Sequence, residues 1–201
     1  MKERGKSKRR RWLAVIGVAT VGVLAFVLLY FEPQTAFIDD EVSETIPGLD
    51  ASPATDPSAT TAPVSVGVPS ASPANSVSAA LASASETGNP VVLSTGTFIS
   101  GEHDTSGTAL VVALPDGSLV VRFEDLDTSN GPDLRVVLST DDASDAWKYD
   151  GRHILGELKG NIGDQNYTIP LDVDLTQFGS VVVWCERFSV AFGAAPLDVV
   201  A

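Results

Sequence analysis

The chain has 201 residues with 13 Lys+Arg against 26 Asp+Glu, a formal net charge of −13. Seven basic residues lie in the first eleven positions, so from Glu32 onward only six face 25 acidic ones. That balance repels phosphate backbones and excludes nucleic-acid binding as the main role. The single cysteine, Cys185, excludes an intrachain disulfide framework, and with two histidines no four-ligand zinc site forms without carboxylates.

In chain order, residues 1–12 read as a basic tail. Residues 13–31 follow, with Thr20 their only strongly polar side chain. As a helix rising ~1.5 Å per residue they span about 28 Å, close to the ~30 Å hydrocarbon thickness of a bilayer. Basic residues before the run and acidic ones after it (Glu32, Asp39, Asp40, Glu41, Glu44) predict a cytoplasmic N-terminus, by the positive-inside rule. The expectation is a single-pass protein of the cell membrane, held in the lipid bilayer through residues 13–31, with an extracytoplasmic C-terminal domain. A cleaved signal peptide fits less well, because the run is long and Gln34-Thr35-Ala36 is a poor cleavage site.

Residues 32–90, rich in Pro, Ala, Ser and Thr and without an aromatic after Phe37, are expected to be a disordered linker. As flexible coil they have an r.m.s. span of ~45 Å, which suits a stalk. No stretch outside the anchor shows ten or more residues of helical periodicity.

Residues 91–201 carry short β-branched runs punctuated by Gly, Pro, Asn and Asp. Predicted strands are Val91–Ile99, Thr108–Leu114, Ser118–Glu124, Asp133–Ser139, His153–Lys159, Gln165–Pro170, Ser180–Cys185 and Phe188–Phe192. The fold class is all-β: a single β-sandwich-like domain of about eight short strands. Nine aromatics (Phe98, Phe123, Trp147, Tyr149, Tyr167, Phe178, Trp184, Phe188, Phe192) are available to fill its core.

Few constellations carry chemistry. Cys185 lies in Val-Val-Val-Trp-Cys-Glu-Arg-Phe, and Glu186 predicts a bend, bulge or tight connection there. Arg187 nearby would favour the thiolate; burial as a small hydrophobe is the structural alternative. His103, His153 and Cys185 together suit a trigonal copper site, but no histidine follows the cysteine on its loop, which disfavours it. Haem ligated by Cys185 or His103 stays open. Asp125 to Asp133 clusters hard oxygen ligands, yet the EF-hand positions fail, so a polar turn is expected. No metal site is assigned. No nucleophile elbow or phosphate-binding glycine loop is present, which favours a carrier or binder over a turnover enzyme.

Gly96-Thr97-Phe98, His103-Asp104-Thr105-Ser106-Gly107-Thr108 and Ser129-Asn130-Gly131-Pro132-Asp133-Leu134 resemble the DM-thirteen domain family. So do Leu158-Lys159-Gly160-Asn161-Ile162-Gly163-Asp164-Gln165-Asn166-Tyr167 and Val183-Trp184-Cys185, followed by Phe192-Gly193-Ala194-Ala195-Pro196-Leu197. The resemblance spans about residues 93–198. It implies a β-rich extracytoplasmic domain taking part in electron transfer. The family's signature cysteine, described as a bare thiol or a prosthetic-group ligand, corresponds to Cys185. Animal members sit beside DOMON and cytochrome b-type domains; this chain carries neither, so the resemblance implies a separate redox protein as partner. The competing expectation is a non-catalytic surface module that binds a wall polymer, sugar or protein.

Overall fold

The computed structural model describes residues 4–31, 39–47, 73–145 and 151–199. In chain order the elements are α1 (Arg4–Phe31), β1 (Glu41–Ser43), α2 (Pro73–Thr87), β2 (Val91–Thr97), β3 (Ile99–Ser100), β4 (Thr105–Ala113), β5 (Leu119–Thr128), β6 (Leu134–Ser139), β7 (Arg152–Glu157), β8 (Ile162–Ile169), β9 (Ser180–Cys185), β10 (Val190–Pro196) and β11 (Asp198–Val199). They form two sheets, ordered β1-β8-β5-β4-β2-β11 and β3-β10-β9-β6-β7. Every pairing is antiparallel except β1 with β8. The expected all-β, two-layer class is the fold, with three short strands (β1, β3, β11) beyond the eight predicted.

The core lies between the sheets, because alternate residues of each strand point inward. Val121, Phe123 and Leu126 from β5 meet Val136 and Leu138 from β6, and Val181, Val183 and Cys185 from β9. The continuous apolar run of β9 has a different origin from simple alternation: both its faces are covered. Val182 and Trp184 point outward into a second buried cluster with Val137, Ala191, Ala194 and Ala143. The Arg152 guanidinium lies 3.6 Å above the Trp184 ring.

Three expectations need correction. First, β5 runs to Thr128, so the polar turn expected from Asp125 begins only at Ser129. Asp125 (φ +51°) sits in a register shift between Phe123 and Leu126, and this bulge keeps Leu126 buried. Second, Phe188, counted as core, is 50% exposed at a hairpin turn. Trp147 and Tyr149 lie outside the described residues. Third, parts of 32–90 are built into the domain. Residues 39–47 dock along β8, and Arg122, itself buried, donates to the Glu44 carbonyl at 2.9 Å. α2 is a 15-residue helix whose Val77, Ala80, Leu81 and Ala84 pack on the core. Those four positions have i, i+3, i+4, i+7 spacing, so the periodicity was present but hidden among Ala and Ser. Pro73 at its first position and Gly88 after its end (φ +67°, N–H to the Ala84 carbonyl, 2.9 Å) punctuate it.

α1 is 28 residues long, and its side chains are described without interruption over 15–27. Among the described residues no helix is long and apolar enough to cross a membrane. The apolar side chains of α1 that are described, such as Val15, Val18 and Phe26, are exposed.

Candidate functional site

Cys185 is the last residue of β9 and points into the core, fully buried. Its partner in β10 is Val190, so Glu186 to Ser189 form the tight connection that the sequence allowed. Ser189 takes φ +54° to close it. The Glu186 N–H donates to the Asp133 carbonyl at 3.1 Å and fastens the hairpin to the Ser129–Asp133 loop. The Cys185 thiol donates to the Pro132 carbonyl at 3.1 Å.

Burial pushes the Cys185 thiol above its ordinary value. The backbone N–H groups of Phe188 and Arg187 oppose that, the Asp133 carboxylate adds to it, and the Arg187 charge lowers it least of these. At neutral pH the group is therefore a thiol. The expectation that Arg187 would favour a reactive thiolate is corrected, because desolvation outweighs one cation.

His103 lies near this end on the β3–β4 loop. Its ring stands 3.8 Å from that of buried Phe192, centroid to centroid. Phe192 in turn fills the space beside Gly131: a Cβ on Gly131 would meet the Phe192 ring at 2.8 Å, so any larger residue there would push the ring aside. Thr105 Oγ1 donates to the Phe192 carbonyl at 3.0 Å and lies 2.8 Å from Thr128 Oγ1. His103 thus buttresses Phe192, which shares the core cluster of Cys185. His153 is elsewhere. Cys185 pairs with Leu134 and His153 with Leu138, four residues further along β6, a separation of ~13 Å. The copper triad is not assembled. Among the described residues no group of three or more His, Cys, Asp or Glu could hold a metal ion.

A haem on Cys185 does not fit either. A ligated macrocycle needs an open apolar slot at the sulfur, and Cys185 is enclosed. The cleft beside the hairpin, about 450 Å³, is lined mainly by polar groups and does not include Cys185. His103 is occupied by Phe192 on one ring face.

That cleft joins Arg187 to residues whose role sequence reasoning missed: Arg135 and Lys159, with Asp40, Asn130 and Glu157. The usable signal was that three of the six basic residues after the anchor fall here. The rim is built by buried amides. Gln165 Nε2 donates to the Gly160 carbonyl (2.8 Å), Tyr167 to Gln165 Oε1 (2.5 Å), and the Lys159 N–H to the Tyr167 hydroxyl (2.9 Å). Burial raises the Tyr167 phenol far above its ordinary value, so it stays protonated and donating.

The loops that meet at this end, 101–104, 129–133, 158–161 and 186–189, all fall within one matched stretch of the chain. Residues 97–197 match the family model described as electron transfer DM13. The chain belongs to that family. No curated protein and no solved structure matches it. Cys185, His103 and Phe192 all lie within the DM13 match, whereas β1, α2 and the cleft residue Asp40 precede it.

Proposed function

We propose that this DM13 chain is a membrane-anchored, extracytoplasmic electron-transfer domain with Cys185 as its redox centre, used as a bare thiol. The match of residues 97–197 to an electron-transfer family carries the reading. Anchorage is supported by the apolar run 13–31 and by the exposure of its described side chains. Burial suits such a centre. An electron need not touch the sulfur, whereas reagents that form disulfides or sulfenic acid must. The exchange is balanced: the thiol S–H bond breaks to leave a thiyl radical, and its electron passes to an oxidised acceptor protein. The proton leaves by way of the nearby, partly exposed Asp133 carboxylate to solvent, and reduction with proton return restores the thiol.

The test uses the full chain in detergent, titrated with small redox mediators. The expected result is one electron exchanged per chain in the wild type and none in Cys185→Ser, whose hydroxyl keeps the bond to Pro132. Equal behaviour of the two proteins would remove Cys185 from the mechanism.

The second reading, a non-catalytic binding module, is favoured by one observation. The polar cleft beside the hairpin is open while the thiol is shut away. A wild type that exchanges no electron with the mediators would favour it. The long stalk attached to that reading loses support, since residues 39–47 are docked on the domain.

A further inference from the structure

The path of the chain out of α1 fixes which end of the sandwich faces the anchor. α1 ends at Phe31, and Asp39 is already held by the domain, since Asn161 Nδ2 donates to its carboxylate at 2.9 Å. The next N–H, that of Asp40, donates to Asn161 Oδ1 at 2.7 Å, and Asn130 Nδ2 donates to Asp40 Oδ2 at 2.9 Å. Only residues 32–38 lie between, a reach of at most ~28 Å when fully extended. The Asn161 loop therefore stays close to the end of the apolar helix. The loops at that end of the sandwich are 129–133, 158–161 and the 186–189 hairpin.

This end also has the chemistry of a headgroup contact. The domain is strongly acidic, yet three of its few basic side chains (Arg135, Lys159, Arg187) converge here. Arg135 is held by Asp133 (2.7 Å) and Glu157 (3.2 Å), and Lys159 by Glu44 (2.7 Å). Arg187 differs: its Nη1 is buried, and its guanidinium lies 5.1 Å from the ring of Tyr30, at the end of α1. Beside it Phe188 is half exposed at the tip of the hairpin. A cation seated on a terminal aromatic ring of the apolar helix, next to a protruding Phe188, places this end at the headgroup level of a bilayer.

We infer that the Cys185 hairpin end rests on the outer surface of the same bilayer that holds α1, with Arg187 seated on the end of α1 and Phe188 at the headgroup boundary. The inference rests on the anchorage proposed above. It narrows the electron partner to one embedded in that membrane or lying on its surface, because Cys185 is the residue immediately behind the hairpin.

The test uses the full chain in vesicles of three parts phosphatidylcholine to one part phosphatidylglycerol. A nitroxide is attached through Phe188→Cys or, at the far end of the sandwich, through Leu171→Cys; Leu171 is 73% exposed. Buried Cys185 is left unlabelled, which the wild type checks. With the chain floating with the vesicles, the label at 188 is expected to be shielded from a water-soluble nickel relaxer and relaxed by oxygen. The label at 171 should show the reverse. Adding Arg187→Glu should abolish the shielding at 188 while flotation and the thermal melt remain. A floating chain with both labels equally open to nickel overturns the inference and leaves the anchorage standing. A chain that fails to float overturns the anchorage and the inference with it.

Discussion

The two ends of the sandwich are closed by segments that precede the DM13 match, and by opposite means. At the Cys185 end, residues 39–47 are held by charge and hydrogen bonds: Lys159 to Glu44, Arg122 to the Glu44 carbonyl, and Asn161 to Asp39 and Asp40. At the far end, α2 is held by Val77, Ala80, Leu81 and Ala84 packed on the core, with one exposed hydrogen bond from Ser85 to the Pro115 carbonyl. Apolar docking depends on area and is nearly indifferent to salt and acid. Polar docking depends on protonation and screening. The end nearest the proposed redox centre is therefore the adjustable one.

The largest expected effect breaks the apolar end. Ala84 is fully buried, so Ala84→Asp places an unpaired carboxylate against the core and should cost about 3 kcal/mol. The check is a lowered melting temperature together with rapid amide exchange confined at first to α2. Unchanged exchange in α2 would mean that the helix contributes nothing to the core.

Next comes the strap. A Cβ on Gly163 would collide with the Val42 carbonyl, and its φ of +97° disfavours any other residue. Gly163→Ala should release residues 39–47 at a cost of about 2 kcal/mol in lost hydrogen bonds. Limited proteolysis would then cut within 39–47 while the sandwich stays folded. Lys159→Met removes a partly exposed pair and should cost about 0.5 kcal/mol at most. It should also flatten the salt dependence of that proteolysis.

Much of this organisation was legible in the sequence, and the failures have physical reasons. β9 was read with the same bounds that it has in the structure, because Val, Trp and Cys in series leave no polar side chain to expose. The faces of Cys185 and Trp184 followed from alternation. Burial of the thiol did not, since it depends on the Ser129–Asp133 loop closing over it through Glu186 and Pro132, a long-range contact. β1 was unreadable: three residues in an acidic run become a strand only because β8 offers an unpaired edge and Arg122 a buried cation. α2 was hidden because Ala at two of its four core positions looks like linker composition.

The smallest effect is that of pH on the strap. Burial pushes the Glu44 carboxyl upward, but hydrogen bonds from Lys159 and the Asn166 N–H outweigh it and hold the group below its ordinary value of 4.5. A group with a depressed folded pKa stabilises docking above 4.5 and loses that contribution as pH falls through its folded value. Cleavage within 39–47 should thus rise in acid below about pH 4.5, whereas the protection of α2 amides relative to the unfolded chain should not change.

The central claim is that Cys185 is a closed, protonated thiol that an electron can leave and a reagent cannot reach. The direct measurement is the rate of alkylation of this single cysteine in the native full chain, followed against pH, beside the same chain unfolded. The account predicts negligible native alkylation at neutral pH and still no rise at the ordinary thiol value of 9.0, with stoichiometric reaction on unfolding. A native rate that plateaus near neutral pH would reveal an accessible thiolate and contradict it.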